Sequence, residues 1–338
     1  MQTVTRRITQ QHTNDIDEQI RLLKEDADEP NLLHGNAMGE LPEWFDKEKF
    51  QRGQQFFNAN YYALFVSKLC GLFVILAIPR VLKILTMTRK SSTPSTAFKR
   101  YMSTLGHMLT WYNEDITDKE SGAYKSLKAV YAKHSMANKR GLSEKNGSVS
   151  QSSLAITQFG FMGFGLLMQD KLGINVRDPK DLEGFIHFWR TIGYMIGIED
   201  RYNICRGTVE ETKETCRRVL KEILWPVLKS PSQEFREMTS ALLKGMWAMI
   251  IFLDVEGFTA FTYELTGLEI NKFTNWWSKA VYNFQKITHK ILCSSIIGHF
   301  LRIFLNYELW LTVEISLRYP ILAYLKFGMP NKSTLETP

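Results

Sequence analysis

The chain has 338 residues, 44% of them hydrophobic, and a formal net charge of +7. That length allows one large domain or two small ones with a sizeable core. Its basic residues are scattered and no nucleic-acid reading motif occurs, so nucleic acid is excluded as an expected partner, whereas a mildly basic surface suits contact with anionic lipid.

Residues 1 to about 40 are polar and read as a flexible tail, with Ile16, Ile20 and Leu23 spaced for one short amphipathic helix. Structure is expected to start near Leu41-Pro42-Glu43-Trp44-Phe45. From Phe56 to Leu85 the chain is strongly apolar, interrupted by Lys68, Arg80 and Lys83. The uncharged stretch from Leu69 to Pro79 is shorter than the ~20 apolar residues a spanning helix needs. A buried core helix, ended or kinked at Pro79, is the expectation. Hydroxyls and Pro94 in the stretch from Ser91 to Thr96 start the next helix, which runs to about Trp111. A polar loop from Asn113 to Gly122 precedes a helix from about Tyr124 to Lys139. The stretch from Gly141 to Ser150 reads as a linker, with Ser150 or Ser152 capping the next helix. Helical spacing recurs over Asp181 to Ile196, Val209 to Leu228 (Pro226 near its end), Phe235 to Phe252 and Ala280 to Ile296. The run from Ile296 to Phe327 carries Arg302, Glu308, Glu314 and Arg318. It suits a core helix pair broken at Pro320, or a helix lying in a membrane interface. No strand alternation or repeat appears, so one all-α domain of roughly ten or more helices is expected. The expected division is a tail over 1–40, a helical catalytic domain over 41–290, apolar C-terminal helices over 291–328 and a tail over 329–338.

Four cysteines without a CxxC pair argue against a thiolate zinc site and for a reducing compartment. Cys70 and Cys293, in apolar runs, read as buried thiols. The polar N-terminus lacks the apolar core of a signal peptide, so classical secretion is not expected.

Among the seven histidines, His134 closes the stretch from Lys128. The small residues Ser135 and Ala137 would let a flat macrocycle approach the helix, and a neutral imidazole is the common axial ligand of haem iron. Arg100 and Thr104, four apart, share a helix face. An arginine can pair with a haem propionate or polarise bound oxygen, and a threonine hydroxyl can hydrogen-bond a ligand on the iron. His187, flanked by aromatics, is a second pocket residue or an alternative axial ligand, and His107 lies one turn beyond Ser103 and Thr104. Taken singly, each reads more simply as a hydrogen-bonded helix residue. Glu199-Asp200-Arg201 reads as a helix-terminal charge cluster rather than an acid–base pair. Gly160, Gly163 and Gly165 read as close helix packing, since no strand precedes them and no GK[ST] motif comes after.

Order and spacing carry more than the single residues. An apolar helix from Gly71 ends at Pro79. Pro94, Arg100 and Thr104 come next, then Val130-Tyr131-Ala132-Lys133-His134, and later the stretch from Phe188 to Asp200. This series resembles the catalytic domain shared by bacterial latex-clearing proteins (rubber oxygenases) and the fungal ER-bound oxygenase of mycophenolic acid biosynthesis, over roughly residues 44 to 265. The resemblance implies a helical fold around one haem b (iron), with His134 as the proximal ligand and Arg100 and Thr104 on the distal side. It implies dioxygen-dependent cleavage of carbon–carbon double bonds in isoprenoid chains. Two positions depart from the family. Tyr131 stands where an arginine is usual, and Ser103 stands where latex-clearing proteins place a lysine near the iron.

The expectation is therefore a haem-dependent oxygenase-like oxidoreductase, with a small hydrophobic (isoprenoid or lipid-like) substrate and dioxygen as partners and no assigned electron donor. It would sit inside the cell, at the endoplasmic reticulum or another membrane. The alternative is a non-catalytic haem- or lipid-binding helical protein associated with membranes.

Overall fold

A computed structural model describes residues 15–25, 40–88, 90–144, 148–247, 249–250 and 252–328. The remainder of the expected N-terminal tail, part of the 141–150 linker and the 329–338 tail lie outside the described residues. Among the described residues the chain is all-α, with no strand.

Helix α1 spans residues 15–24. It is the short amphipathic helix expected on Ile16, Ile20 and Leu23, and it packs on the body, with Ile20 1% and Leu23 0% exposed. Gln19 donates to the Asn203 carbonyl at 2.9 Å, and the Leu23 carbonyl accepts from both Arg80 and Ser152. These partners come from segments distant in sequence, which local composition does not show.

Helices α2 (Lys47–Ala59) and α3 (Tyr61–Ile75) lead to α4 (Pro79–Thr88). Between α3 and α4 the chain bends by 95°. Pro79 has no N–H to continue α3, and its fixed φ suits the first position of a new helix. Among the described residues no single helix is long and apolar enough to cross a membrane; the bent α3–α4 pair passes by length and composition alone. Thirteen of the 15 residues of α3 are buried inside the protein, as the core-helix reading expects.

Thr93 and Thr96 cap each other's backbone N–H at the start of α5 (Pro94–Asn113), and Ser121 caps α6 (Gly122–Ser143). Ser150, rather than Ser152, caps α7 (Gln151–Leu167). A short α8 (Gln169–Leu172) precedes α9 (Pro179–Met195). The expected single helix over Val209 to Leu228 is three pieces: α10 (Val209–Arg218), a π-helical turn Val219–Leu224 and α11 (Trp225–Lys229). The wide turn lies just ahead of Pro226, which cannot donate the hydrogen bond a regular α-helix would require there. The remaining helices are α12 (Gln233–Met246), α13 (Val255–Thr266), α14 (Trp276–Leu292), α15 (Ile297–Arg318) and α16 (Ile321–Phe327). The break before Pro320 falls where the sequence places it.

The core is built from pairs of helices: α2 along α9, α3 along α7, and α5 between α6 and α12. Phe57 stacks on Tyr112 at 3.7 Å, and Tyr112 on Phe188 at 4.2 Å, tying α2, α5 and α9 together. Two glycine–glycine crossings set the closest approaches. A Cβ at Gly71 on α3 would overlap the Gly160 carbonyl of α7, and one at Gly53 would overlap the Gly184 carbonyl of α9. The glycines of α7 are thus a packing surface. Gly71→Ala is expected to lower the unfolding free energy by about 1–3 kcal/mol, because backbone cannot yield as a side chain can. Urea denaturation checks it, and an unchanged midpoint would show that α3 and α7 can separate freely.

Candidate active site

Arg100 and Thr104 sit one turn apart on α5, both half-buried. The Arg100 guanidinium donates to the Thr88 hydroxyl at 3.1 Å, and that hydroxyl donates to the Leu85 carbonyl at 2.7 Å. The end of α4 therefore holds Arg100. No carboxylate pairs with Arg100 among the described residues, and burial lowers its pKa. Thr104 donates its hydroxyl hydrogen to the Arg100 carbonyl at 3.1 Å. Its oxygen lone pairs remain to accept. Ser103, the family's lysine position, is half-buried beside it.

His134 lies on α6, which packs against both α4 and α5. Its Nδ1 is closed off from solvent and has no hydrogen-bond partner. Burial, and then the nearby positive charge of Arg100, push its pKa down to about 4. The ring is neutral at pH 7, the state in which an imidazole ligates a metal. Among the described residues no group of three or more His, Cys, Asp or Glu is placed to hold a bare ion. A lone histidine suits instead a metal that arrives inside its own macrocycle. The unpaired guanidinium of Arg100 suits an anionic carboxylate. The residues present therefore fit a porphyrin held by one ligand and one cation.

The structure does not bring His187 into this group. Its Nε2 accepts from the Asp46 backbone N–H at 3.0 Å, and its ring packs on Trp44 and Phe45. Burial first of all takes its pKa down to about 4. It joins α9 to the start of α2, and aromatic neighbours in the sequence resemble a pocket lining for that structural reason. His107 points its Nδ1 at the Ser126 hydroxyl (2.8 Å) and its Nε2 at the Lys133 ammonium (3.2 Å). With an ammonium donating to Nε2, Nδ1 carries the hydrogen. Ser126 also accepts from Trp111 Nε1 at 2.8 Å. This network fixes α5 against α6 one residue before His134. Neither it nor the Thr88 contact was visible as a motif.

Three other features stand outside the site. Arg190 pairs with Asp200 through both carboxylate oxygens, and Arg201 pairs with Glu199 at 2.7 Å, as a charge cluster does. Cys293 is exposed, correcting the reading of a buried thiol, because it comes just after the last turn of α14. A cleft of about 230 Å³ lined by Gln54 and Asn113 lies at the far end of α5. That is about 20 Å from Arg100 at 1.5 Å per residue.

A family model described as "ER-bound oxygenase mpaB/B'/Rubber oxygenase, catalytic domain" matches residues 57–286. The match begins later and ends later than the resemblance in the motifs suggests. Among solved structures, the chain is similar to a latex clearing protein, described as "Structure of Latex Clearing Protein LCP in the closed state". The two share 16% identity with a TM-score of 0.47, over 82% of this chain and 76% of that one. No curated protein matches the chain. The family match takes in α3 to α13 and every residue of the site, and the chain belongs to the ER-bound oxygenase/rubber oxygenase catalytic-domain family.

Proposed function

We propose that the protein is a haem b-dependent oxygenase that uses dioxygen on a hydrophobic, isoprenoid- or lipid-like substrate, with cleavage of a carbon–carbon double bond as its reaction. One observation supports this most: a neutral imidazole with an unclaimed nitrogen, on the helix next to a half-buried arginine that has no carboxylate. When bound, haem supplies a redox-active iron for dioxygen chemistry.

The chain's own residues then divide the work. His134 offers a lone pair that no proton blocks at neutral pH. Arg100, fixed through Thr88, presents its remaining N–H donors to a carboxylate or to an oxygen of the substrate. Thr104 accepts a hydrogen bond as it stands. To donate one, its hydroxyl must turn away from the Arg100 carbonyl, an exchange that helical threonines make between two rotamers. The apolar residues of the helix core exclude water from this region and suit a greasy substrate.

Absorption spectroscopy of the full chain expressed with haem supplied tests the reading; a colourless, iron-free folded protein would overturn it. Oxygen uptake with unsaturated isoprenoids or lipids then tests turnover. Thr104→Val is expected to lower turnover by about 10²-fold or more with its haem in place, and Arg100→Leu to lower turnover as far while weakening haem retention, since its guanidinium suits a haem carboxylate. Haem loss in Thr104→Val would make that residue structural. One observation favours a binder without turnover, namely the commitment of the Thr104 hydrogen to backbone; haem retention with no oxygen uptake would select it.

A further inference from the structure

Helix α15 is built inside out. Its buried side is narrow, limited to Gly298, Leu309, Val313 and Ser316. The polar residues of α15 fasten it to the body. Arg302 donates to the carbonyls of Gly173 and Leu292, at 3.0 and 2.8 Å. Asn306 accepts from the Tyr62 N–H at 2.9 Å and donates to the Ala59 carbonyl at 3.0 Å. Opposite them runs an apolar stripe in the open: Phe300 is 68%, Phe304 63%, Tyr307 62% and Trp310 46% exposed. The surface continues onto both neighbouring helices, with Trp276 at 77% and Leu325 at 79%. A helix in water places its polar residues outward. Here Arg302 and Asn306 turn inward, although Glu308 and Arg318 stay exposed, and large apolar residues meet the surroundings over three consecutive helices. Single exposed apolar side chains need no explanation, but a contiguous apolar face on this scale marks an interaction site.

We infer that this face lies in the surface of a bilayer containing anionic lipid, with α15 parallel to the membrane plane. Three features select lipid over a second copy of the chain. Residues 276–328 carry six Lys or Arg against two Asp or Glu. Lys279 and Lys290 stand exposed on α14, so a self-complementary contact would bring like charges together, whereas anionic headgroups neutralise them. Of the two acids, Glu314 is half-buried and pairs with Arg318, which leaves Glu308 as the one exposed acid of the segment. The exposed set includes Trp and Tyr, whose apolar rings and polar tips suit the headgroup boundary. Because Arg302 and Asn306 pin the first half of α15 to the body and Leu309 and Val313 are buried further along it, the helix docks on a membrane and does not cross one. This inference is independent of the haem reading.

Vesicle flotation of the purified full chain tests it. The expected result is flotation with phosphatidylcholine vesicles that is stronger when phosphatidylserine is added. A triple variant, Phe300→Ser, Phe304→Ser and Trp310→Ser, should reduce the bound fraction by at least about tenfold, since bound apolar area sets interfacial affinity. Circular dichroism of the variant checks its fold, and Lys279→Glu with Lys290→Glu gives a second route that leaves the apolar face intact and should abolish the preference for phosphatidylserine. Folded wild-type protein that stays out of both vesicle preparations overturns the inference. So does a triple variant that floats as well as wild type, or a wild-type dimer in light scattering that the triple variant converts to monomer without any vesicle binding. Flotation indifferent to phosphatidylserine overturns the anionic assignment.

Discussion

His134→Ala is expected to abolish the Soret band of protein expressed with haem supplied, while the helical signal in circular dichroism stays unchanged. The fold should tolerate the change because the imidazole gives little to it. Nδ1 has no partner to lose, and alanine is the best helix former. The apoprotein should keep its stability to within about 1 kcal/mol, as substitutions outside the packed core usually do. The loaded protein should behave otherwise. A ligand bound only by the native state stabilises it by about 2.7 kcal/mol at one hundred times its dissociation constant. Added haem should therefore raise the thermal midpoint of wild type and leave His134→Ala where it is. His187→Ala supplies the contrast. It leaves the Asp46 N–H without its acceptor and opens a gap under Trp44. It should lower stability by about 1–3 kcal/mol and keep the Soret band. A band that survives in His134→Ala but disappears in His187→Ala would move the axial ligand to α9.

The contrast between these histidines shows what a sequence of this kind displays and what it hides. Helix α5 is legible because its start is local chemistry: Thr93, Pro94 and Thr96 cap within one turn. The same holds for the breaks at Pro79 and Pro320, where a missing N–H acts on its own residue. The pairing of Arg100 with Thr88 is not legible, since it depends on how α4 and α5 lie against each other, which no local pattern encodes. His187 and His134 both sit among apolar or small neighbours. Only the fold shows that one ring nitrogen is taken by a backbone N–H 141 positions away and the other is left without a partner. The C-terminal run leaves both core and interface open, because both solvents for a greasy helix favour the same residues. The side on which Arg302 and Asn306 find their carbonyls is what the interface proposal rests on.

Lys68→Met is expected to make the protein more stable. Lys68 lies at the middle of α3, 7% exposed, with its amine closed off from solvent and without a hydrogen-bond partner. Four rings surround the amine: Phe57 at 4.5 Å from its centroid, Tyr112 at 5.3 Å, and Phe185 and Trp189 at 5.9 Å. Attraction between an ammonium and desolvated ring faces is worth about 2 kcal/mol. Removing the ammonium from water costs several kcal/mol, and no carboxylate offsets it. Desolvation wins, so burial holds the Lys68 pKa well below the ordinary lysine value of 10.5 and favours the neutral amine in the native state. The unfolded chain has the ordinary value, so between the two values unfolding takes up a proton. Stability must then rise with pH between the folded value and 10.5, by about 1.4 kcal/mol per unit from this residue alone. Methionine fills nearly the same volume with no charge to desolvate. The variant should gain about 1–4 kcal/mol at pH 7 in urea denaturation and lose that slope. Equal stability in the two proteins at pH 7, with equal slopes, would mean that the amine keeps its proton in the native state and that the aromatic faces hold it more strongly than desolvation opposes it.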